Sequence, residues 1–417
     1  MSTTMDMISY LPDDILLHIL SFLPTRTSIA TSLLSRRWRH LWKGVEVLDI
    51  EDLSFCFPSV SDHDARKRFF AFANGVLSCH KAHRVLKFRL SGMVFSWKAV
   101  DHLVESTIKP HLEDLCLSLN SSLQINRRLF CCISIFTCSS LVSLVLEGTL
   151  ALHNYLSIVN LPSLKNLKLN VHSVDLEKIL SGCPVLETLN VSSRRIFSAV
   201  IHLPRSLKSF KFEFIGEFKH PYYGGCAINS IEIDTPSLEY LQIILHHCRV
   251  RNLVCNLPKV VEAHLYICVE DLHVCWLPKL LRALCTTKLL VLGDSTVVCL
   301  LRAPTSPFPD FHCLFQLQID FISRPFSSTF LIALLRCSPK LQGLIIHCSH
   351  CPQPSQPSGW KQPISVPHCV TSHLKTFEFK HGNYPEESAF ARYILQHSNL
   401  CRFTCFTGEF NRIYSAV

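Results

Sequence analysis

Hydrophobic positions in the first fifty residues fall on two helical stripes. Leu11-Pro12-Asp13-Asp14 opens the first, with proline suited to a first turn and two carboxylates complementing the positive helix N-terminus, and Pro24 ends it. The spacing predicts a helix over residues 12–23 with Ile15, Leu16, Ile19, Leu20 and Leu23 on one broad apolar face. Trp38, Leu41 and Trp42 repeat the i, i+3, i+4 pattern on a later helix. A unit of about 35 to 40 residues with no metal site is too small to bury such faces alone, so it is expected to dock on the rest of the chain, on a partner, or on both.

Beyond it, Val45 to Ile50 alternates as an edge strand, and 62–79 reads as a helix carrying Phe69, Phe70, Ala73, Val76 and Leu77 on one side. Then a phrase of the form L-x-x-L-x-L recurs, starting at Val85, Leu112, Leu141, Leu164, Leu186, Leu207, Leu238, Val260, Thr287, Leu314, Leu341, Leu374 and Leu400. From 85 to 400 is 315 residues in twelve intervals, a mean of about 26, inside the leucine-rich-repeat range of about 20 to 29. The fourth and sixth residues of each phrase share a strand face, so pairs such as Leu167 with Leu169, or Leu241 with Ile243, point into the coil. One coil cannot bury that face alone, whereas stacked coils share a continuous core. Between phrases come helices such as the one ending at Gly182 before Pro184, and the helix at 62–79 is expected to cap the near end. The repeat is irregular: intervals run from 21 to 33, and Ala263 and Thr287 are poor core residues for their slots.

The ordered string Leu11-Pro12-Asp13-Asp14-Ile15-Leu16, Ile19-Leu20-Ser21-Phe22-Leu23-Pro24, Leu34-Ser35-Arg36-Arg37-Trp38-Arg39 and Leu41-Trp42 resembles the F-box in the spelling of the plant F-box/FBD/LRR-repeat family. Trp360-Lys361-Gln362-Pro363 through His368-Cys369, His373-Leu374-Lys375, Glu386-Glu387 and Ala391 to Leu395 resembles the FBD module of the same family. The resemblance spans nearly the whole chain. With the repeat it implies an α/β protein: a small all-α F-box unit over 8–48, a linker and capping helix over 49–83, an irregular leucine-rich-repeat solenoid over 84–350, and an FBD module over 360–407 that continues and caps the solenoid. The irregular strand at Leu400 to Phe406 departs from the family pattern.

The resemblance further implies a substrate receptor of a Skp-cullin-F-box ubiquitin ligase, with no chemistry of its own. Leu11, Pro12, Ile15, Leu16, Ile19, Leu20, Leu23 and Pro24 would meet a Skp-family adaptor and, through it, a cullin-RING ligase. Trp38, Leu41 and Trp42 would set the unit's own packing and part of its rim. The client, a protein the sequence does not name, is expected on the outward strand positions of the solenoid. By register these are Asn166, Lys168 and Asn170, then Asn190, Lys211, Glu213, Tyr240, Gln242, His264, Tyr266, Gln318 and Asp320. The same side chains fit an ordinary solvated strand face. Two other readings stay open: a small-molecule sensor whose ligand completes the client surface, and an interaction scaffold without client turnover.

Composition narrows the chemistry. The 417 residues are 48% hydrophobic and 18% charged, enough for a large core. The 13 glycines form no dinucleotide or phosphate loop and no nucleophile elbow, and H-E-x-x-H is missing. The N-terminus does not read as a signal peptide, and no apolar run reaches the ~18 residues of a membrane span, so an intracellular protein of nucleus or cytoplasm is expected, off the membrane. There the 21 cysteines read as reduced, buried hydrophobes, including Cys131-Cys132. The formal charge of +9 is spread along the chain, which points away from nucleic acid; its one tight group is Arg36, Arg37, Arg39 and Lys43. His347-Cys348-Ser349-His350-Cys351 with His368, Cys369 and His373 supplies zinc-ligand types, but only one Cys-x-x-Cys pair, and reads as a loop with buried thiols. No cofactor is expected. Two surface excursions stand out, the aromatic Phe218 to Gly225 and the proline-rich Leu301 to Pro309, with a further linker over Cys351 to Pro367.

Overall fold

Pro12 opens the first helix from outside it, its carbonyl accepting from the N–H groups of Ile15 and Leu16, and α1 (Asp13–Leu20) follows. The helix is shorter than the pattern predicts because its last turn tightens: Phe22 N–H donates to Ile19 and Leu23 N–H to Leu20, bringing the chain to Pro24. The computed structural model describes residues 7–52, 63–93, 97–108, 110–120, 133–152, 158–198, 200–215, 227–269, 276–302, 308–321, 326–348, 360, 362–381, 385–407 and 410–414. Thus Phe218 to Gly225, Cys131-Cys132, His350-Cys351 and most of the proline-rich linker lie outside the described residues. The described chain forms two compact units, Met1–Phe197 and Ser198–Val417.

In the first unit α2 (Thr25–Ala30) and α3 (Trp38–Leu41) complete a small helical layer. Leu16, Leu20, Trp38, Leu41 and Val45 form its core, with Leu11, Leu17, Leu23 and Val47 packed at the edge. The parallel sheet follows: β1 (Val47–Glu51), α4 (His63–Cys79), β2 (Lys87–Met93), α5 (Trp97–Thr107), β3 (Asp114–Asn120), β4 (Ser143–Leu152), β5 (Asn166–Val174), α6 (Leu176–Ser181) and β6 (Thr188–Ile196). Each strand pairs in parallel with the next, β1 through β6. Helix α4 is the crossover from β1 to β2, not a cap beyond the sheet. The end position belongs to the helical layer, where Thr25 Oγ1 accepts from the Asp49 N–H of β1 at 2.8 Å. Lys43 O takes the N–H groups of Lys81 and Ala82, and a His80 ring nitrogen meets Val45 O at 2.7 Å. These backbone ties fix the helical layer to the first coil.

The second unit holds β7 (Val200–His202), β8 (Ser209–Ile215), β9 (Ala227–Asp234), β10 (Tyr240–Asn256), β11 (Glu262–Val269), α7 (Leu277–Ala283), β12 (Leu289–Leu292), α8 (Asp294–Arg302), β13 (Gln316–Phe321), α9 (Ser328–Arg336), β14 (Gly343–Cys348), α10 (His368–Ser372), β15 (Thr376–His381), α11 (Pro385–His397), β16 (Arg402–Thr407) and β17 (Phe410–Tyr414). The start of β10 pairs with β8, and parallel pairing then runs from β10 through β16. The end of β10 leaves that sheet for a second one with β9 and β7, an arrangement the phrase does not encode. β17 returns antiparallel to β16.

All thirteen phrases begin two residues before a strand, from Val85 and β2 to Leu400 and β16. The inward pairs of the first twelve are buried, Phe88 with Leu90 through Phe377 with Phe379, while Phe403 and Cys405 of the last are half-buried. Burying one such side chain is worth about 1.5–3 kcal/mol, so each pair contributes substantially to the shared core. The two weak slots are filled: Ala263 and Thr287 are both 0% exposed. Buried hydroxyls differ in their partners. Thr296 Oγ1 donates to Leu265 O at 2.7 Å and accepts from Ile267 N, whereas among the described residues Thr287 Oγ1 has no hydrogen-bond partner. Thr287→Val, which keeps the shape and removes that hydroxyl, is expected to stabilise the protein by about 1 kcal/mol, read as a raised unfolding midpoint. A lowered midpoint would show that the hydroxyl is satisfied.

The C-terminal module shares the last coil's core. Phe326 packs on Phe379 and Phe390, and Trp360 on Phe390 and Tyr393. Glu386, in the first turn of α11, accepts from the Ser328 N–H and hydroxyl and so complements the N-terminus of α9. Among the described residues no helix is long and apolar enough to cross a membrane.

Candidate functional site

The residues proposed for adaptor contact separate into two sets. Leu16, Leu20, Trp38, Leu41 and Trp42 are buried, and the first four lie in the core of the helical layer. Leu11 and Leu23 are half-buried, while Pro12, Ile15, Ile19 and Pro24 are exposed. Other exposed apolar residues of the layer lie outside the stripe: Phe22 is 75% exposed, Leu33 88% and Leu34 70%, compared with Ile15 at 46% and Ile19 at 40%. Ile15, Ile19 and Phe22 stand at i, i+4 and i+7, one line along α1 and its final turn, with the His18 ring edge-on to Phe22 at 4.9 Å. Leu33 and Leu34 close the turn after α2. Scattered single apolar residues on a surface are ordinary; a line of three along one helix, and a consecutive pair 70% or more open in the same layer, are the kind of surface a partner covers. Arg37 holds the start of α1 in place, reaching Asp13 Oδ1 at 2.6 Å and the Leu11 carbonyl.

Outward strand positions of the first unit are neutralised in place. Lys168 Nζ lies 2.6 Å from Glu147 Oε1, Lys87 Nζ 2.8 Å from Asp114 Oδ2, and Arg89 3.6 Å from Asp49. The second unit differs. Lys211 Nζ sits 5.1 Å from the Tyr240 ring, Tyr240 hydroxyl donates to Gln242 Oε1, and its ring lies 5.5 Å from His264, which bonds Glu262 at 2.6 Å. A second group gathers on β13, β14 and β15, two to four strands on from β11. Asp320 Oδ1 accepts from Gln318 Nε2 at 3.3 Å and faces His347 Nδ1 at 3.1 Å, and His347 Nε2 is 3.8 Å from Glu378. The Asp320 bond holds the His347 imidazole above its usual pKa against partial burial, with Glu378 adding to the rise and Lys380 opposing it. Burial raises Tyr266, and the nearby Asp320 carboxylate adds to it. Gly293, just past β12, makes this approach possible, since a Cβ there would collide with the Tyr266 ring.

Every predicted outward residue thus lies on a strand, Asn166, Lys168, Asn170 and Asn190 in the first unit and the other eight in the second. His347 and Glu378 are absent from the predicted set although the phrases from Leu341 and Leu374 put them at outward positions; in the sequence His347 reads with the cysteines after it and Glu378 falls within the terminal module. Several described thiols are held protonated rather than poised as nucleophiles: burial pushes Cys183 and Cys369 up to about 12 and Cys255 to about 11, and raises Cys348 further. Among the described residues no three His, Cys, Asp or Glu side chains gather as a metal site.

A helical layer with an open apolar face, a strand-and-return sheet in register with thirteen leucine phrases, and a terminal strand–helix module define an F-box protein with a leucine-rich-repeat region. Family models match at each part: the F-box domain over residues 8–49, the FBD over 362–400, and the leucine-rich repeats described for FBD-associated F-box protein At5g56370 over 100–254. The chain belongs to the plant F-box/FBD/LRR-repeat family. Among its Arabidopsis thaliana relatives, FBD-associated F-box protein At5g38590 is 32% identical over 97% of this chain and 94% of its own length. FBD-associated F-box protein At5g56370 is 30% identical over 97% and 90%, and F-box/FBD/LRR-repeat protein At1g80470 29% identical over 91% and 80%.

Proposed function

We propose that this chain is the substrate-recognition subunit of a Skp-cullin-F-box ubiquitin ligase, docking a Skp-family adaptor through the F-box and a client protein through the outward strand face. The observation that carries this reading is the exposed line Ile15, Ile19 and Phe22 with Leu33 and Leu34, on a unit whose own core is already complete without them. Within the first unit the backbone ties of Lys43, Val45 and Asp49 to the first coil couple the docking face rigidly to the strands behind it. Such a receptor works by proximity: it holds a client lysine near a charged conjugating enzyme and raises its effective concentration without chemistry of its own.

Co-expression of the full chain with a Skp-family adaptor, followed by capture through a tag on the chain, tests the first half. The expected result is a stoichiometric complex that supports ubiquitin transfer when cullin, RING subunit and conjugating enzyme are added. A folded chain that retains no adaptor from the co-expressing cells would overturn it.

A further inference from the structure

We propose that the outward face of β11 to β15 takes a basic client segment, seating a lysine or arginine among Tyr266, Asp320 and Glu378 where the His347 imidazole now lies. This deepens the receptor reading and rests on it.

The outward carboxylates of β11 to β15 are partnered differently from those of the first unit and from Asp234 of β9, which has Arg205. In the first unit, Asp49, Asp114 and Glu147 each have a lysine or arginine partner, a charge that persists at any physiological pH. On β11 to β15, Glu262, Asp320 and Glu378 meet only histidines as ion-pair partners among the described residues. Imidazole is a conditional counter-charge, lost over the range in which a cell operates. Asp320 is 7% exposed, so water compensates it poorly when His347 is neutral. A guanidinium or ammonium group offers a permanent charge, and the Tyr266 ring held over Gly293 supplies an aromatic wall to stack against. Lys380 on β15, the other charged group facing His347, is exposed and free to swing toward solvent.

The neighbouring pair, His264 with Glu262 beside Tyr240, repeats the combination of carboxylate, imidazole and aromatic ring three strands away. Three strand spacings are about 14 Å, which about four residues of extended chain cover. The segment that fits carries two basic residues about four apart and runs across the strands.

Because a bound cation takes the place of the His347 proton, binding is expected to tighten as pH rises. The folded pKa of His347 lies above its ordinary value, so the gain comes as pH passes through that raised value. Groups bearing on it are Asp320 from β13 and Glu378 and Lys380 from β15, with Tyr266 from β11 on the far side of Asp320.

Displayed random dodecapeptides, selected on the purified full chain and on a chain carrying Asp320→Asn and Glu378→Gln, test this. Lysine or arginine pairs about four apart should be enriched on the native chain and retained about tenfold less by the variant, more strongly at pH 7.5 than at pH 5.5. A selected peptide with citrulline for arginine should lose the difference. Enrichment of acidic or purely apolar peptides, equal retention by the two chains, or no selectable peptide would overturn the proposal. Adaptor capture by the same two preparations separates the outcomes: loss of basic-peptide binding with adaptor retained leaves the receptor reading standing. Equal unfolding midpoints show that the variant is folded, and a Lys178→Met chain, altered on α6 and off the strand face, should bind the peptides as the native chain does.

Discussion

Replacing Phe22, Leu33 and Leu34 together by alanine is expected to cut adaptor capture by at least about a hundredfold while leaving the unfolding midpoint close to that of the native chain. Truncating an apolar anchor at the centre of an interface costs about 1–2 kcal/mol or more, roughly tenfold in affinity for each. The same truncation costs little in the isolated chain, because these three side chains are 70–88% exposed and leave no cavity. Leu16→Ala makes the informative contrast. Leu16 is 0% exposed in the core with Leu20, Trp38, Leu41 and Val45, so its truncation should destabilise the layer by about 2–5 kcal/mol and lose the adaptor indirectly. Capture by co-expression reads the first effect and thermal unfolding the second. A triple variant that still captures the adaptor at native levels would move the docking surface elsewhere. A triple variant that unfolds would show that these residues support the layer itself.

That contrast marks where the sequence was legible. A helical stripe records which residues are apolar and share a side, and in α1 it merged two faces: Leu16 and Leu20 turn inward, Ile15 and Ile19 outward. Periodicity alone does not separate them, since both faces of a docking helix are apolar and only the position of Trp38 and Leu41 decides which one the chain covers for itself. Strand phrases leave less room for error. Their two-residue period sends alternate side chains to opposite faces, so a phrase start fixes the inward pair and the outward row together, and Leu167, Leu169, Leu241 and Ile243 are all buried. What escaped that logic follows other rules: the second sheet of β7, β9 and the end of β10, and the antiparallel return of β17. Gly182, read as a helix stop, does end α6, but with φ at −93° rather than in the left-handed region; it is glycine because the Val159 carbonyl lies where a Cβ would be.

Gly148→Ala is expected to be among the most damaging single changes in the first unit. In β4 the pairing with β5 slips between Gly148 and Ala151, so that Thr149 and Leu150 stand opposite His172 alone, a bulge that turns the strand. Gly148 enters it with φ at +116°, a conformation L side chains rarely adopt, and a Cβ there would collide with the Leu119 carbonyl of β3. Strain at the backbone adds about 1–3 kcal/mol, and a clash with backbone, unlike one with a flexible side chain, is relieved only by moving a paired strand. The two together should lower stability by about 3 kcal/mol or more, measured by denaturant unfolding. Gly75→Ala supplies the opposite sign from the same residue change. Gly75 lies within α4 with open space where the Cβ would go, so alanine there should stabilise by about 0.5–1 kcal/mol. If both variants unfold at the same denaturant concentration, the positive φ at Gly148 is not a requirement of the fold and the bulge can relax to an ordinary pairing. If they separate as expected, the bend in β4 is built into the chain, and with it the direction in which the outward residues of that strand are presented.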